Sequence, residues 1–189
     1  GSAPYLSSLG YQDAASLEAF EQALQSWSVP STNQIYADVS GNVAWMPACK
    51  APVRRGYDGM TPVPGDGRYE WDGYLPILEK PHLVNPPQGF FATANNDLIP
   101  RDYPHMDAIG FAWSEPYRWA RINEVLGSGR RHSMADMLRL QTDELSIPAR
   151  QIVRLLDHLS SSDARVERVR RMLLDWDYVL DAESVEAGI

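Results

Sequence analysis

The stretch that decides the fold is Asn33-Gln34-Ile35-Tyr36-Ala37-Asp38-Val39-Ser40-Gly41-Asn42-Val43-Ala44-Trp45-Met46. Ile35, Ala37 and Val39 alternate with Gln34, Tyr36 and Asp38, the two-residue period of a half-buried strand. Ser40-Gly41-Asn42 supplies turn residues, and Val43 to Met46 resumes an apolar run, so the segment reads as a β-hairpin. Before it, Leu17, Phe20, Leu24 and Trp27 recur at helical spacing, with Asp13 as the expected N-cap and Pro30 just past the end. After it, residues 52–87 read as an ordered loop, dense in proline and in the turn pairs Asp58-Gly59, Asp66-Gly67 and Asp72-Gly73. Gly89 to Ala94 is a short apolar run bounded by Gly89 and Asn95-Asn96, which suits a buried strand.

Beyond Pro104 the spacing becomes helical. Ser114 with Pro116 opens a helix carrying Ile122, Val125 and Leu126, closed by Gly127 and Gly129. Ser133 with Asp136 makes a capping box for Met137, Leu138 and Leu140. Ile152, Leu155, Leu156 and Leu159 form a third stripe after Pro148, and Val166, Val169, Leu173 and Trp176 a fourth. The expected class is α+β, with a helix and strand- and turn-rich segment over 13–103 and a helical segment over 104–189. Gly1-Ser2 reads as a tag remnant and is set apart from the fold.

The 189 residues are 44% hydrophobic and 22% charged, enough apolar material for a core in one domain or two. Seventeen basic against twenty-five acidic residues leave a net charge of −8, which argues against a nucleic-acid surface. No apolar stretch approaches the roughly 18 residues of a membrane span, and the beginning lacks the basic-then-apolar pattern of a signal peptide. One cysteine, Cys49, excludes an internal disulfide framework. His82, His105, His132 and His158 are scattered in no metal-ligand spacing, and no nucleophile elbow, P-loop or dinucleotide fingerprint occurs.

Four places can carry chemistry. Asn95-Asn96 ends an apolar run: it is either an Asx turn or a rigid carboxamide donor for charge developing on a carbonyl oxygen. Arg118 lies four residues before Ile122, on the apolar side of its helix, where a guanidinium calls for an acidic partner or a ligand. Asp102 and Asp107 precede that helix and can pair with it or offer oxygens to a hard cation. The aromatic run Tyr69-Glu70-Trp71-Asp72-Gly73-Tyr74 is either a plug in the core or a stacking platform for a ligand.

Several segments in order carry a resemblance: Tyr36-Ala37-Asp38, Gly41-Asn42-Val43, Pro62-Val63-Pro64-Gly65, Trp71-Asp72-Gly73, Asn85-Pro86, Gly89-Phe90 and Thr93-Ala94-Asn95-Asn96. Tyr117-Arg118 with Arg121-Ile122 continues it, and Trp176-Asp177 extends it. Together they resemble the β-chain of the penicillin acylase family of N-terminal-nucleophile hydrolases, from about Leu17 to the C-terminus. The resemblance implies part of a four-layer αββα sandwich, with 1–189 as one incomplete domain and the helical half following the β-rich half. It implies hydrolysis of a small-molecule N-acyl amide through an acyl-enzyme ester on an N-terminal serine whose own amine is the base. On it, Asn95 supplies an oxyanion-hole donor, Arg118 orients polar groups, and Asp107 falls near a ligand of the family's calcium. An α-chain and the remaining β-chain segments are then the implied partners, and the periplasm or the exterior the implied location.

Ser2, between Gly1 and Ala3-Pro4, does not match the family's nucleophile context. The chain therefore reads as an internal fragment, inert alone. The rival from another class is a non-catalytic module that binds a ligand or a partner around Trp71.

Overall fold

A computed structural model describes residues 4–110 and 112–189. Gly1, Ser2, Ala3 and Phe111 lie outside the described residues, and with them the readings of Gly1-Ser2 as a tag remnant and of Ser2 as a non-nucleophile. The chain forms two compact units, which meet in sequence between Ser114 and Glu115.

In the first unit, the short α1 (Leu9–Gln12) leads into α2 (Leu17–Leu24). The cap of α2 is Ser16, not the expected Asp13: Ser16 is extended at φ −151° and its hydroxyl accepts the Ala19 N–H at 3.1 Å. Asp13 instead ends α1. Phe20 and Leu24, with Trp27 beyond the helix end, pack on Ala44, Met46 and Ala48 and on Ile77 to form the main core. Leu24 and Ala48 are completely buried. Burying a leucine side chain this way contributes about 1.5–3 kcal/mol.

The hairpin is present, but its inward face is the opposite of the apolar one: Gln34 and Tyr36 are half-buried, with Tyr36 on the core, while Ile35 and Val39 are exposed. β1 (Thr32–Ala37) and β2 (Val43–Ala48) pair antiparallel with Ile35 opposite Trp45. Its turn is tied by Asp38, whose carboxylate accepts the Asn42 backbone N–H at 3.0 Å and the Asn42 amide at 2.8 Å. Gly41 there has φ +91°, a conformation that costs a glycine little.

Residues 52–87 contain more than a loop. β3 (Ala51–Arg54) pairs antiparallel with β4 (Trp71–Leu75), and β5 (Leu83–Val84) joins the far edge of β2. Pro52 fits because a two-stranded ribbon is all edge, so a missing N–H interrupts little. Asp58-Gly59 and Asp66-Gly67 keep their turn role, with Gly59 and Gly67 at φ +78° and +88°, whereas Asp72-Gly73 lies inside β4. Ala51 and Leu75 form a second small core with Ala108 of α3 (Met106–Ile109). The strand expected at Gly89–Ala94 does not form. The backbone there finds no sheet neighbour among the described residues: the Ala94 N–H goes to the Asn96 side chain, and the Phe91 ring stacks on Trp45.

The second unit carries α4 (Tyr117–Leu126), α5 (Met134–Gln141), α6 (Ile147–Val153) and α7 (Ala164–Leu174), with one β-bridge between Leu145 and Val179. The Ser133 capping box is formed: the Ser133 hydroxyl accepts the Asp136 N–H at 3.2 Å and the Asp136 carboxylate accepts the Ser133 N–H at 2.7 Å. α4 starts without a side-chain cap, behind Pro116. The third stripe is not one helix: α6 tightens into a 3₁₀ turn at Arg154–His158. Among the described residues no helix is long and apolar enough to cross a membrane.

Candidate active site

The first unit contains a cleft of about 780 Å³, a size suited to a small molecule, and Asn33, Trp45, Cys49, Lys80, Asn95 and Asn96 are among its walls. Trp45 comes from β2. Its indole N–H donates to Asn33 Oδ1 at 2.7 Å, and its ring stacks on Phe91 with centroids 4.7 Å apart and planes 11° from parallel. A buried indole held in this way offers a rigid aromatic wall.

Asn95 and Asn96 differ in burial. Asn96 is buried, its Oδ1 accepting the Ala94 N–H at 3.1 Å and its amide donating to the Asp97 carbonyl at 3.1 Å. The Asx turn of this loop belongs to the next residue, Asp97, whose Oδ1 accepts the Ile99 N–H at 2.9 Å. Asn95 is the exposed member and lines the cleft. It sits at φ +64°, in the left-handed region that asparagine tolerates better than most residues, and its carbonyl accepts the Ser114 N–H at 2.8 Å. A carboxamide in a cleft wall can present its N–H groups to a carbonyl oxygen.

Asp107 lies in α3 and is exposed, and its carbonyl accepts from Arg54 Nη1 at 3.0 Å. Arg54 is itself on the cleft wall. Among the described residues no three histidine, cysteine or acidic side chains gather into a metal-binding group, so the donors present do not fit a calcium site on their own.

Arg118 belongs to the second unit and is exposed, contrary to the expectation that it sits on the apolar side of its helix. Proximity to the helix start explains this: at the second residue of α4, a long side chain reaches solvent past the open end. The inward guanidinium of α4 is Arg121. It holds Asp143 in a bidentate pair at 2.9 and 2.8 Å and touches Glu124 at 3.2 Å, while Glu124 also accepts from Arg150 at 2.7 Å. The Arg121 pair pulls the Asp143 carboxyl below its ordinary range, and Arg150 does the same for Glu124.

The aromatic run is not a core plug. Trp71 is 56% exposed and Tyr74 49%, and with Tyr69 they border a shallow hollow. Leu75 and Ile77, later in the same segment, take the buried places.

Lys80 escapes a reading of the sequence. It is 2% exposed, its ammonium donates to the Cys49 carbonyl and lies 3.3 Å from Cys49 Sγ, and burial pushes its pKa down. The 3₁₀ turn Ile77–Glu79 ends at Lys80, and Pro81 confines it to an extended conformation at φ −72°, ψ 158°. A lone lysine beside a proline gives no periodic signal; only the turn that ends there turns its side chain inward.

A family model described as penicillin amidase matches residues 1–189. Penicillin acylase 2 proenzyme of Pseudomonas sp. (strain SE83) is 30% identical over 177 residues, 93% of this chain and 23% of that protein. Acyl-homoserine lactone acylase QuiP of Pseudomonas fluorescens (strain Pf0-1) is 30% identical over 193 residues, again 93% of this chain and 23% of the relative. The chain thus spans about a quarter of the length of these relatives. Among solved structures, a thermostable penicillin G acylase from Alcaligenes faecalis superposes with a TM-score of 0.76 at 23% identity, over 96% of this chain and 33% of the other, a likeness of fold.

Proposed function

Because the chain belongs to the penicillin amidase family, we propose that it forms part of a hydrolase of small-molecule N-acyl amides and carries that enzyme's oxyanion donor, Asn95. The observation that supports this most is the place of Asn95: it lines a cleft of small-molecule size from a left-handed backbone position whose carbonyl accepts the Ser114 N–H. Attack on an amide carbonyl places negative charge on its oxygen, and a fixed N–H donor lowers that barrier because it need not reorganise as the charge appears. Trp45 stacked on Phe91 offers the aromatic wall against which an acyl chain packs. Arg118 is assigned the supporting role, orienting polar groups of the substrate. In this reading the attacking serine, whose amine serves as base, comes from other polypeptide of the full-length protein, as do the α-chain and the further ligands that a calcium near Asp107 needs. A periplasmic or exported location goes with the same reading.

The test is turnover of pentanoyl-p-nitroanilide by the full-length protein and by this chain alone. The full-length protein is expected to release nitroaniline and the purified chain to stay at background. Steady release by the chain, surviving controls for contaminating enzyme, overturns the division of labour; silence of the full-length protein across a series of acyl anilides overturns the reaction. The second reading, a binding module without chemistry, draws on the exposed Trp71 and Tyr74. It predicts that Trp71→Ala abolishes binding of a ligand or partner while Asn95→Ala changes nothing.

A further inference from the structure

Lys80 is the one charged residue buried among the described residues, and no carboxylate pairs with it there; its contacts are to Cys49. An ammonium has three N–H donors, and the two Cys49 acceptors, carbonyl and Sγ, account for two. An uncompensated buried cation costs several kcal/mol, so such a group persists where something anionic completes it. Lys80 and Cys49 both line the cleft that holds Asn95. The cleft wall also carries Arg54 and one carboxylate, Asp58, whose Oδ1 already accepts the Met60 N–H at 2.9 Å. Two cations thus face one carboxylate in a chain whose net charge is −8, a local reversal that selects for an anion.

We propose that the cleft takes an amide bearing a carboxylate away from the scissile bond, and that Lys80 is the residue that pairs with it. Lys80 is then a specificity residue: it favours anionic over neutral amides of the same shape. This deepens the reading of the cleft as an acyl amide site and rests on it.

The test uses the purified chain and four probes, with binding followed by calorimetry and by the NMR signal of the Lys80 ε-methylene. Glutaric acid monoanilide has its carboxylate on the acyl side, 3-(pentanoylamino)benzoate has it on the amine side, pentananilide is neutral, and glutarate has no amide. One of the two anionic anilides is expected to bind about tenfold more tightly than pentananilide and to move the Lys80 signal. Which of the two does so tells which half of the substrate carries the charge. Lys80→Met is expected to bring the preference to within about twofold while pentananilide still binds, which shows that the variant is folded. Equal binding of anionic and neutral anilides, a preference that survives in Lys80→Met, or no binding of any probe below about 10 mM overturns the proposal. Glutarate moving the Lys80 signal while no anilide binds keeps the anion site and overturns the acyl amide reading instead.

Discussion

The two units are held together in different ways. The first has an interior: Leu24, Met46 and Ala48 are essentially inaccessible, and a helix, a hairpin and a 3₁₀ turn converge on them. The second buries few of its large apolar side chains: Ile147 and Val153 are inside, while Met134, Leu138, Ile152, Leu155 and Val166 are more than half exposed. What it has instead is a set of guanidinium–carboxylate pairs, Arg121 with Asp143 and Glu124, Arg150 with Glu124, and Arg170 and Arg171 with Glu167. Apolar burial stabilises in proportion to area and is insensitive to pH, whereas ion pairs are geometric, weaker and titratable. The first unit should therefore answer to volume and the second to charge.

The largest effect expected is on volume. Leu24→Ala leaves a cavity in the main core and should cost about 2–5 kcal/mol. Hydrogen exchange followed along the chain should show protection lost through α2, β1 and β2, with α4 to α7 unchanged; equal loss in both units breaks the contrast.

Next comes charge. Asp143→Ala leaves the Arg121 guanidinium, 22% exposed, with Glu124 as its remaining partner, and should cost about 1–2 kcal/mol, seen as loss of protection in the second unit alone. Acid should reach the same pair. The Asp143 and Glu124 carboxyls are held below their ordinary values, so their contribution is complete above the unfolded values of about 4 and disappears as pH falls through the lowered folded ones. Glu167 is drawn down to about 2 by Arg170 and Arg171, and the Asp136 carboxyl, held by Ser133, lies lower still. A second unit whose exchange protection is flat from pH 6 to about pH 2.5 contradicts this account. The smallest effect sharpens the comparison: Leu155→Ser, at a side chain 65% exposed, should change stability by no more than about 0.5 kcal/mol, in contrast to Leu24.

These contrasts also explain which features a sequence shows. The hairpin, α2 and the Ser133 capping box are local: the period of two or of 3.6, and a serine three residues before an acid, specify them without reference to distant residues. The β3–β4 ribbon is not local. Proline at 52 and glycine at 73 mask both strands, and their pairing across a long connection is what makes them strands. Gly89–Ala94 errs the other way: an apolar run resembles a strand until its ladder partner fails to arrive.

The candidate site divides along the same line. Asn95 stands out because a turn-forming pair ends an apolar run, although the residue chemistry by itself favours an Asx turn there, and in the structure the Asx bond of this loop is made by Asp97. At α4, helical spacing placed Arg118 on the apolar side, whereas it is exposed near the helix start and the half-buried guanidinium is Arg121, which meets Asp143 across 22 residues. Lys80 was invisible because its burial depends on a 3₁₀ turn, a following proline and an acceptor 31 residues away.

The claim at the centre is that the Asn95 carboxamide stabilises charge on a carbonyl oxygen. The most direct measurement is kcat for N-acyl anilide hydrolysis in the full-length protein carrying Asn95→Ala and, separately, Asn95→Gly, which keeps the left-handed backbone at φ +64° while deleting the amide. Both should lower kcat by about 10²–10³-fold with KM little changed. An unaltered kcat in the folded glycine variant would contradict the account and return Asn95 to the turn.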